Sequence, residues 1–246
     1  MKTTIITACY NSEKTILGTI NSVKAQTYLD IEHIFIDGGS HDNTIKIIKE
    51  NALKHFKLIS EKDRGIYDAM NKGINFASGD LILILNSDDI FFKNNIIKKI
   101  VDIFEKDKTL ELLYGDIIIT RSGNVLRKWV AGTYKSDSFL SGWMPPHPAF
   151  VVKKSTYNKY GLFNLNFKYA ADLEIMYRLL TVHKCKHFYL NQFLVDMKFG
   201  GKSSKNIINI FKQNIENIKI LKKDKKFSYF KFFYNKIIHR LRQFKL

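Results

Sequence analysis

The sequence has few cysteines and prolines, and it contains no long apolar segment. Its two cysteines, Cys9 and Cys185, lie far apart and form no metal-binding or redox motif, which favours a reducing compartment. Three prolines are too few for a low-complexity chain. No stretch reaches the roughly 20 apolar residues of a membrane span, and residues 1–7 lack the apolar core of a signal peptide. We therefore expect a cytosolic protein, or one lying on the cytosolic side of a membrane.

Acidic residues are also scarce, because 23 Asp and Glu stand against 40 Lys and Arg and give a net charge of +17. The imbalance is greatest in residues 197–246, which hold fourteen Lys or Arg and only two acidic residues, Glu216 and Asp224. A basic end of this kind is typical of a chain with an anionic partner, either nucleic acid or an acidic membrane surface. The length of 246 residues suits one large α/β domain or two small ones.

Short apolar runs alternate with helical patterns through the first 85 residues. Strands are predicted at residues 3–9, 31–36, 57–60 and 81–85, and helices at 14–26, 44–51 and 66–77. This alternation predicts a parallel sheet with helices on both faces. In such sheets ligands bind at the carboxyl ends of the strands.

A polar cluster follows each of these four strands. The clusters are Tyr10-Asn11, Asp37-Gly38-Gly39-Ser40, Asp63-Arg64 and Asn86-Ser87-Asp88-Asp89. Each alone is compatible with turn chemistry, but four clusters at one sheet edge indicate a binding site. The paired carboxylates after the fourth strand suit Mg²⁺ or Mn²⁺ carrying a phosphate. The alternative is that Asp88 or Asp89 caps a helix that starts near Ile90.

Together these segments resemble family 2 glycosyltransferases with the nucleotide-diphospho-sugar transferase (GT-A) fold. The resemblance covers about residues 1–204 and is greatest to the bacterial surface-polysaccharide branch, which assembles capsule, O-antigen and colanic-acid-like polymers. The matching segments are Thr7-Ala8-Cys9-Tyr10-Asn11, Asp37-Gly38-Gly39-Ser40 with Asp42 and Thr44, residues 63–73, Asn86-Ser87-Asp88-Asp89 and residues 170–174. One departure is Asn86, where many relatives have Asp, so the Asp-x-Asp metal motif is incomplete at its first position.

The resemblance implies a Rossmann-like, mixed and mainly parallel sheet in a GT-A domain over residues 1–204, followed by a basic helical tail over 205–246. It also implies an inverting glycosyltransferase, transferring a hexosyl or N-acetylhexosaminyl group. The expected donor is a UDP-sugar, the acceptor is a hydroxyl of a lipid-linked saccharide, and the cofactor is Mn²⁺ or Mg²⁺.

The resemblance also implies roles in nucleotide binding. Tyr10 would stack on the base, a contact worth about 1–3 kcal/mol, and Asp37 would accept the uracil N3 proton. Arg64 would meet phosphate or uracil, or instead pair with Asp63 or Asp68. The predicted nucleotide-sugar site comprises Ala8, Tyr10, Asn11, Asp37, Gly38, Ser40, Asp63, Arg64, Asn71, Asn86, Ser87 and Asp88.

For the metal, Asp88 is the expected main ligand. Asp89 would assist the metal or bond the ribose, and Asn86 would support the ribose as a neutral group. The cation would neutralise charge on the departing diphosphate.

In the second half, strands are predicted at residues 110–120, 125–130 and 149–152, with helices at 96–104 and 175–182. By position Asp172 matches the catalytic base of the family, and Glu174 a supporting residue, although a carboxylate at a helix start is also an ordinary N-terminal charge. His147 would shape the acceptor side or hold its proline-rich loop. Residues 198–204, with Gly200, Gly201 and Lys202, are the candidate lid.

Residues 206–246 predict two basic amphipathic helices broken near Asp224. Docking on an anionic membrane suits a lipid-linked acceptor and would place the protein on the cytosolic face of the inner membrane. The alternative is that the apolar face packs on the catalytic domain or on a second subunit.

Three other functions compete with glycosyl transfer. A nucleic-acid-binding module would spread its charge over a platform with exposed aromatics, whereas here the charge sits at one end and the strand-end clusters are acidic or neutral. We therefore expect no nucleic-acid partner. A nucleotidyltransferase of related fold would have a Gly-rich N-terminal loop with Arg and Lys, which residues 7–11 are not. The third alternative is a non-catalytic binding relative.

Overall fold

The computed structural model describes residues 1–200 and 207–244. Its first half has the predicted alternation, with bounds within about two residues of expectation. The elements are β1 Thr3–Cys9, α1 Ile16–Lys24, β2 Ile31–Asp37, α2 Thr44–Asn51, β3 Lys57–Ser60, α3 Ile66–Phe76 and β4 Leu81–Ile84.

The second half is less regular. Its elements are β5 Asp89–Phe91, α4 Ile96–Lys106, β6 Leu112–Arg121, β7 Asn124–Trp129, β8 Phe150–Lys153, α5 Lys154–Tyr160, α6 Ala171–Tyr177, β9 His187–Lys198, α7 Ile207–Leu221 and α8 Tyr229–Arg242. A π-helical turn, Arg178–Val182, extends α6.

One mixed sheet runs through the protein in the order β3-β2-β1-β4-β8-β6-β9-β5, with β7 paired to β6. The strands β1 to β4 are mutually parallel, while β8 lies antiparallel between β4 and β6. The register pairs Cys9 with Asp37 and Asp37 with Ser60, so three strands end at the same level. This confirms the predicted α/β fold and brings the polar clusters to one edge.

The apolar runs of β1 and β4 are buried because helices cover both faces of the sheet. Ile5 and Ile6 are both fully buried, yet they belong to core clusters on opposite faces. Gly73 of α3 lies directly over Ile6, and a Cβ on Gly73 would overlap Cγ2 of that isoleucine. The absence of a side chain therefore sets how closely α3 approaches β1.

The alternative that Asp88 or Asp89 caps a helix near Ile90 is wrong. Asp89 begins β5, which pairs antiparallel with β9 and places Asp89 opposite Met197. The next helix begins only at Ile96. The sequence pattern predicts no strand at β9, because Asn191, Gln192 and Asp196 interrupt its apolar run. The missed strand matters because it lies beside the paired carboxylates.

The two predicted tail helices are present, and both contact the domain. Ile220 and Leu221 of α7 and Phe232 of α8 are buried in the same core cluster as α3 and α6. A Cβ on Gly142 would lie 2.8 Å from Cβ of Lys236, so α8 packs closely on the backbone after a short helical turn, Phe139–Ser141. Packing on the catalytic domain, one of the alternatives for the tail, is therefore observed, while the division at residue 204 stays a prediction. None of the described helices is both long and apolar enough to span a membrane.

Two helical glycines provide a test of the α3 contact. Gly18 of α1 has room for a Cβ, which would lie 3.8 Å from Ile90, whereas one on Gly73 would overlap Ile6. We expect Gly18→Ala to raise the free energy of unfolding by up to about 1 kcal/mol. Gly73→Ala should lower it by about 1–3 kcal/mol through overpacking. Urea unfolding followed by circular dichroism measures both, and stabilisation by both substitutions would contradict the close approach of α3 to β1.

Candidate active site

Hydrogen bonds join the loops that follow β1, β2 and β4. The Asn11 amide donates to Oγ of Ser40 at 2.8 Å, and Oδ1 of Asn11 accepts the His41 amide at 2.9 Å. Oγ of Ser12 lies 2.9 Å from Oγ of Ser87. Three of the four predicted clusters therefore form one connected surface.

Asp37 organises this surface from beneath. Its side chain is fully buried and accepts hydrogen bonds from the Gly39 amide (3.1 Å), the Ser40 amide (3.0 Å), Oγ of Ser40 (2.5 Å) and Oγ of Ser60 (2.7 Å). A carboxylate has about four acceptor positions, and these donors use them. A direct bond from Asp37 to uracil would have to displace one of these donors, so that contact stays a prediction.

Gly38 lies close to both Tyr10 and Asp63. A Cβ on Gly38 would lie 3.3 Å from Oδ2 of Asp63 and 3.5 Å from Cδ2 of Tyr10, so glycine keeps this space open. Tyr10 is 43% exposed, and its stacking on a base stays a prediction. Asp63 also accepts a bond from Nζ of Lys72 at 2.6 Å.

Two other predicted donor-site residues, Arg64 and Asn71, have structural partners, and a third, Ala8, is buried. Arg64 is exposed, and both its amide and its guanidinium donate to Asp68, which is one of the pairings considered from the sequence. Asn71 donates to the Phe163 carbonyl and accepts the Phe163 amide, each at 2.9 Å. Ala8 is buried near the end of β1. Direct contacts of these residues with a donor stay predictions.

The paired carboxylates differ in environment. Asp89 is 1% exposed, and Oδ2 accepts a bond from Nδ2 of Asn86 at 2.9 Å. Burial, followed by the charge of Asp88, raises the pKa of Asp89 to about 8. Asp88 is only partly buried; burial raises its pKa, and the nearby Lys198 of β9 opposes that rise. Of the two, Asp88 is the more accessible anion.

The residues present fit a divalent cation that is shared with a ligand. Within residues 1–200 and 207–244, no group of three or more His, Cys, Asp or Glu could hold a metal. Mg²⁺, however, is usually bound through one or two carboxylates together with substrate phosphates. The buried Oδ1 atoms of Asn86 and Asp89 accept no hydrogen bond from the described residues. Asp88 therefore suits such a cation, with Asn86 and Asp89 beside it.

Asp172 lies in the first turn of α6, which begins four residues before the predicted helix start. Its Oδ1 accepts bonds from the Tyr67 hydroxyl at 3.1 Å and the Leu173 amide at 2.9 Å. The Tyr67 ring stacks on Phe163, and burial followed by Asp172 raises the pKa of its hydroxyl. Sequence reasoning gave Tyr67 no role of its own. The available signal was its place in the matching segment of α3, one helical turn before Asn71.

The other acceptor-side candidates, His147 and Glu174, have different surroundings. Burial lowers the pKa of His147, which favours the neutral imidazole, and Asp172 opposes that effect. Glu174 pairs with Arg178 at 2.9 Å, and Arg178 in turn donates to the Leu162 carbonyl at 2.6 Å. Glu174 thus supports the loop before α6.

The predicted lid is only partly described. Gly200 has a φ of +105°, a backbone conformation that favours glycine. Gly201 and Lys202 lie outside the described residues.

The family model for glycosyl transferase family 2 matches residues 4–163, which is more than half of the chain. The chain belongs to this family. A PGL/p-HBAD biosynthesis glycosyltransferase of Mycobacterium bovis is 27% identical over 204 residues, covering 81% of this chain and 78% of that protein. An uncharacterized glycosyltransferase of Mycobacterium tuberculosis is 34% identical over 182 residues, covering 72% of this chain and 68% of that protein.

Solved structures of low sequence identity show the same fold. One is the mannosyltransferase PcManGT from Pyrobaculum calidifontis in complex with GDP-Man and Mn²⁺, with a TM-score of 0.68 and 16% sequence identity. The match covers 97% of this chain and 69% of the PcManGT chain. Another is S. aureus TarS 1-349 in complex with UDP-GlcNAc, whose match covers 84% of this chain with a TM-score of 0.62 and 18% sequence identity. This chain spans 62% of that TarS chain. The predicted family and GT-A fold are confirmed.

Two aspartates of the nucleotide side should differ in their effect on stability. In Asp37→Asn the side-chain NH₂ group faces at least one of the donors that Asp37 accepts. We expect the free energy of unfolding to fall by about 1–3 kcal/mol for each donor left unpaired. Asp63→Asn weakens one ion pair, but Lys72 keeps Glu61 at 2.6 Å, so we expect a loss of about 1 kcal/mol or less. Urea unfolding of the ligand-free variants measures both. Equal losses would contradict the role of Asp37 as the organiser of its loop.

Proposed function

We propose that this glycosyltransferase moves a sugar from a UDP-sugar to an acceptor hydroxyl with inversion of configuration, using Asp172 as general base. The observation that carries the proposal is the 3.1 Å bond from Tyr67 to Asp172. Tyr67 lies on α3, directly after the Asp63-Arg64-Gly65 turn of the nucleotide side. This bond therefore couples the candidate base to the element that begins at the donor site.

Both hydrogen bonds that the described residues make to Asp172 fall on Oδ1. That arrangement orients the carboxylate and leaves Oδ2 to take the proton of the acceptor hydroxyl. The hydroxyl oxygen then bonds the anomeric carbon as the bond from that carbon to the diphosphate breaks on the opposite face. An α-linked donor thus gives a β-linked product. His147, whose burial favours the neutral imidazole, would help to shape the acceptor side.

A divalent cation, when bound, would neutralise charge that develops on the departing diphosphate. Asp88 would hold it, with Asn86 and Asp89 beside it. The Mn²⁺ in the PcManGT complex supports a metal in this fold. Lys198 of β9 adds positive charge near Asp88, so part of the phosphate neutralisation would come from the chain itself.

UDP is the preferred donor nucleotide. The UDP-GlcNAc complex of TarS supports it, whereas PcManGT binds GDP-Man, so the fold alone does not choose the base. In this chain Asp63 and Tyr10 both lie close to Gly38, and the buried Asp37 holds the loop that carries Gly39 and Ser40. A carboxylate there would accept the N3 proton of uracil but would face an acceptor at N1 of adenine. Guanine carries a proton at N1 as uracil does at N3, so the preference for UDP over GDP rests on the TarS complex and is tested by the donor screen.

The acceptor proposed is a saccharide on a lipid carrier in surface polysaccharide assembly. The outward face of α8 is consistent with the proposal that the protein lies on the cytosolic face of the inner membrane. We define the aromatic face by its apolar side chains, which are 36–81% exposed: Tyr229, Phe230, Phe233, Tyr234 and Ile237. Lys231, Arg240 and Arg242 of the same helix add positive charge that favours anionic lipid.

A donor screen tests the catalytic proposal. UDP-, GDP- and dTDP-sugars are compared by thermal shift and by donor hydrolysis, with and without Mn²⁺, for wild type and Asp172→Asn. We expect UDP-sugars with Mn²⁺ to stabilise both proteins equally, because Asp172 contacts the acceptor rather than the nucleotide. Turnover should fall about 10²–10⁴-fold in Asp172→Asn. Equal stabilisation by all donors regardless of Mn²⁺ would remove the uridine and metal proposals, and unchanged turnover would remove Asp172 as the base.

Vesicle sedimentation tests the aromatic face. The double variant Phe230→Ser/Ile237→Ser should bind anionic phosphatidylserine vesicles at least fivefold more weakly than wild type, because the inserted apolar area is lost. Leu29→Ser, at a 92% exposed position on the catalytic domain, is the matched control and should bind like wild type. Unchanged binding by the double variant would exclude this face. A change in sedimentation equilibrium instead would assign it to a second copy of the chain.

A further inference from the structure

Glu216 of α7 makes an unusual contact with the catalytic domain. Oε1 accepts the Lys168 amide at 3.1 Å, and Oε2 accepts the Tyr169 and Ala170 amides at 2.8 and 2.9 Å. One side chain therefore takes three consecutive backbone donors. Bonds to a charged acceptor are roughly twice as strong as neutral ones, so this loop is held firmly.

The loop over residues 168–170 leads directly into the first turn of α6, where Asp172 lies. Ala170 is fully buried and its own side chain cannot cap the helix. Nε2 of Gln213 also donates to the Tyr169 carbonyl at 3.2 Å. Two residues of α7, one helical turn apart, thus hold both the donor and the acceptor groups of this loop.

The second tail helix reaches the same region. Nζ of Lys236 in α8 donates to Oδ1 of Asn214 in α7 at 2.7 Å, which ties the two helices together. Burial, followed by Arg240, lowers the pKa of Lys236 to about 8, and Asp172 opposes this effect. The cation of α8 is therefore within electrostatic reach of the candidate base, although the two lie 64 residues apart in sequence.

We infer that the C-terminal helices are a working part of the transfer site, with Glu216 as the positioning residue for Asp172 through residues 168–170. The inference rests on the proposed role of Asp172 as base. Tyr67, which belongs to the catalytic domain, restrains the Asp172 carboxylate. Glu216, which belongs to the tail, restrains the backbone just before Asp172. A displacement of about 1 Å at such a residue lowers turnover about 10²-fold. Removing the tail would therefore impair catalysis as well as any membrane contact, so point variants are needed to separate the two.

Graded substitution tests the inference. Glu216→Gln keeps one acceptor oxygen, and Glu216→Ala keeps none. We expect kcat to fall about tenfold in the first and about a hundredfold in the second, with the KM for the donor within twofold of wild type. Asp224→Asn is the matched control, because Asp224 is the other acidic residue of the tail and contacts Tyr177 rather than residues 168–170. It should leave kcat and KM unchanged.

Hydrogen exchange of the peptide over residues 166–173 supplies a readout that does not depend on the reaction. The amides of residues 168–170 should exchange at least tenfold faster in Glu216→Gln than in wild type or Asp224→Asn. Unchanged exchange would overturn the contact itself. Faster exchange with unchanged kcat, in an enzyme that Asp172→Asn inactivates, would overturn the positioning role. If Asp172→Asn keeps full activity, the proposed base fails and the positioning role with it, whereas the exchange result still decides the contact.

Discussion

Parallel pairing of β1 with both β2 and β4 is the constraint on which the rest of the site depends. In a parallel sheet every strand ends at the same edge, so the polar residues after each strand meet without any further device. Cys9, Asp37 and Ser60 stand level in the register, and the loops that follow are then joined by short hydrogen bonds. Helix α3 lies close to β1 because Gly73 has no side chain to meet Ile6. The same helix carries Tyr67.

The acidic residues at this edge suit different functions because their surroundings differ. Asp37 is surrounded by donors and stabilises its loop, whereas Asp89 is buried beside another carboxylate and holds its proton more tightly than usual. Asp88 and Asp172 are more accessible, as their proposed roles in holding the metal and taking the acceptor proton require. Residue type alone does not separate these roles, because the pKa and the free acceptor positions of a carboxylate depend on burial and on neighbours.

The two C-terminal helices pack as part of the domain. One side of α7 and α8 packs into the core and reaches the loop before Asp172, while the opposite side of α8 keeps its aromatic residues exposed. The two alternatives considered for the tail, packing on the domain and docking on a membrane, therefore concern different faces of the same helices. An amphipathic pattern identifies both faces but not the surface that each one meets.

The sequence by itself determined the strand and helix alternation of residues 1–85, the four strand-end clusters, the family and the GT-A fold, since these depend on local periodicity and on contiguous motifs. It also predicted the two tail helices. Tertiary structure alone decided that Asp89 starts a strand paired with β9 and that Tyr67 bonds Asp172. It also decided that Asp37 is held by its own loop together with Ser60 of β3, and that Glu216 holds residues 168–170. Each of these contacts, except those of Asp37, joins residues 46 or more positions apart. No local pattern encodes such contacts, because they arise only when the packed core brings the elements together.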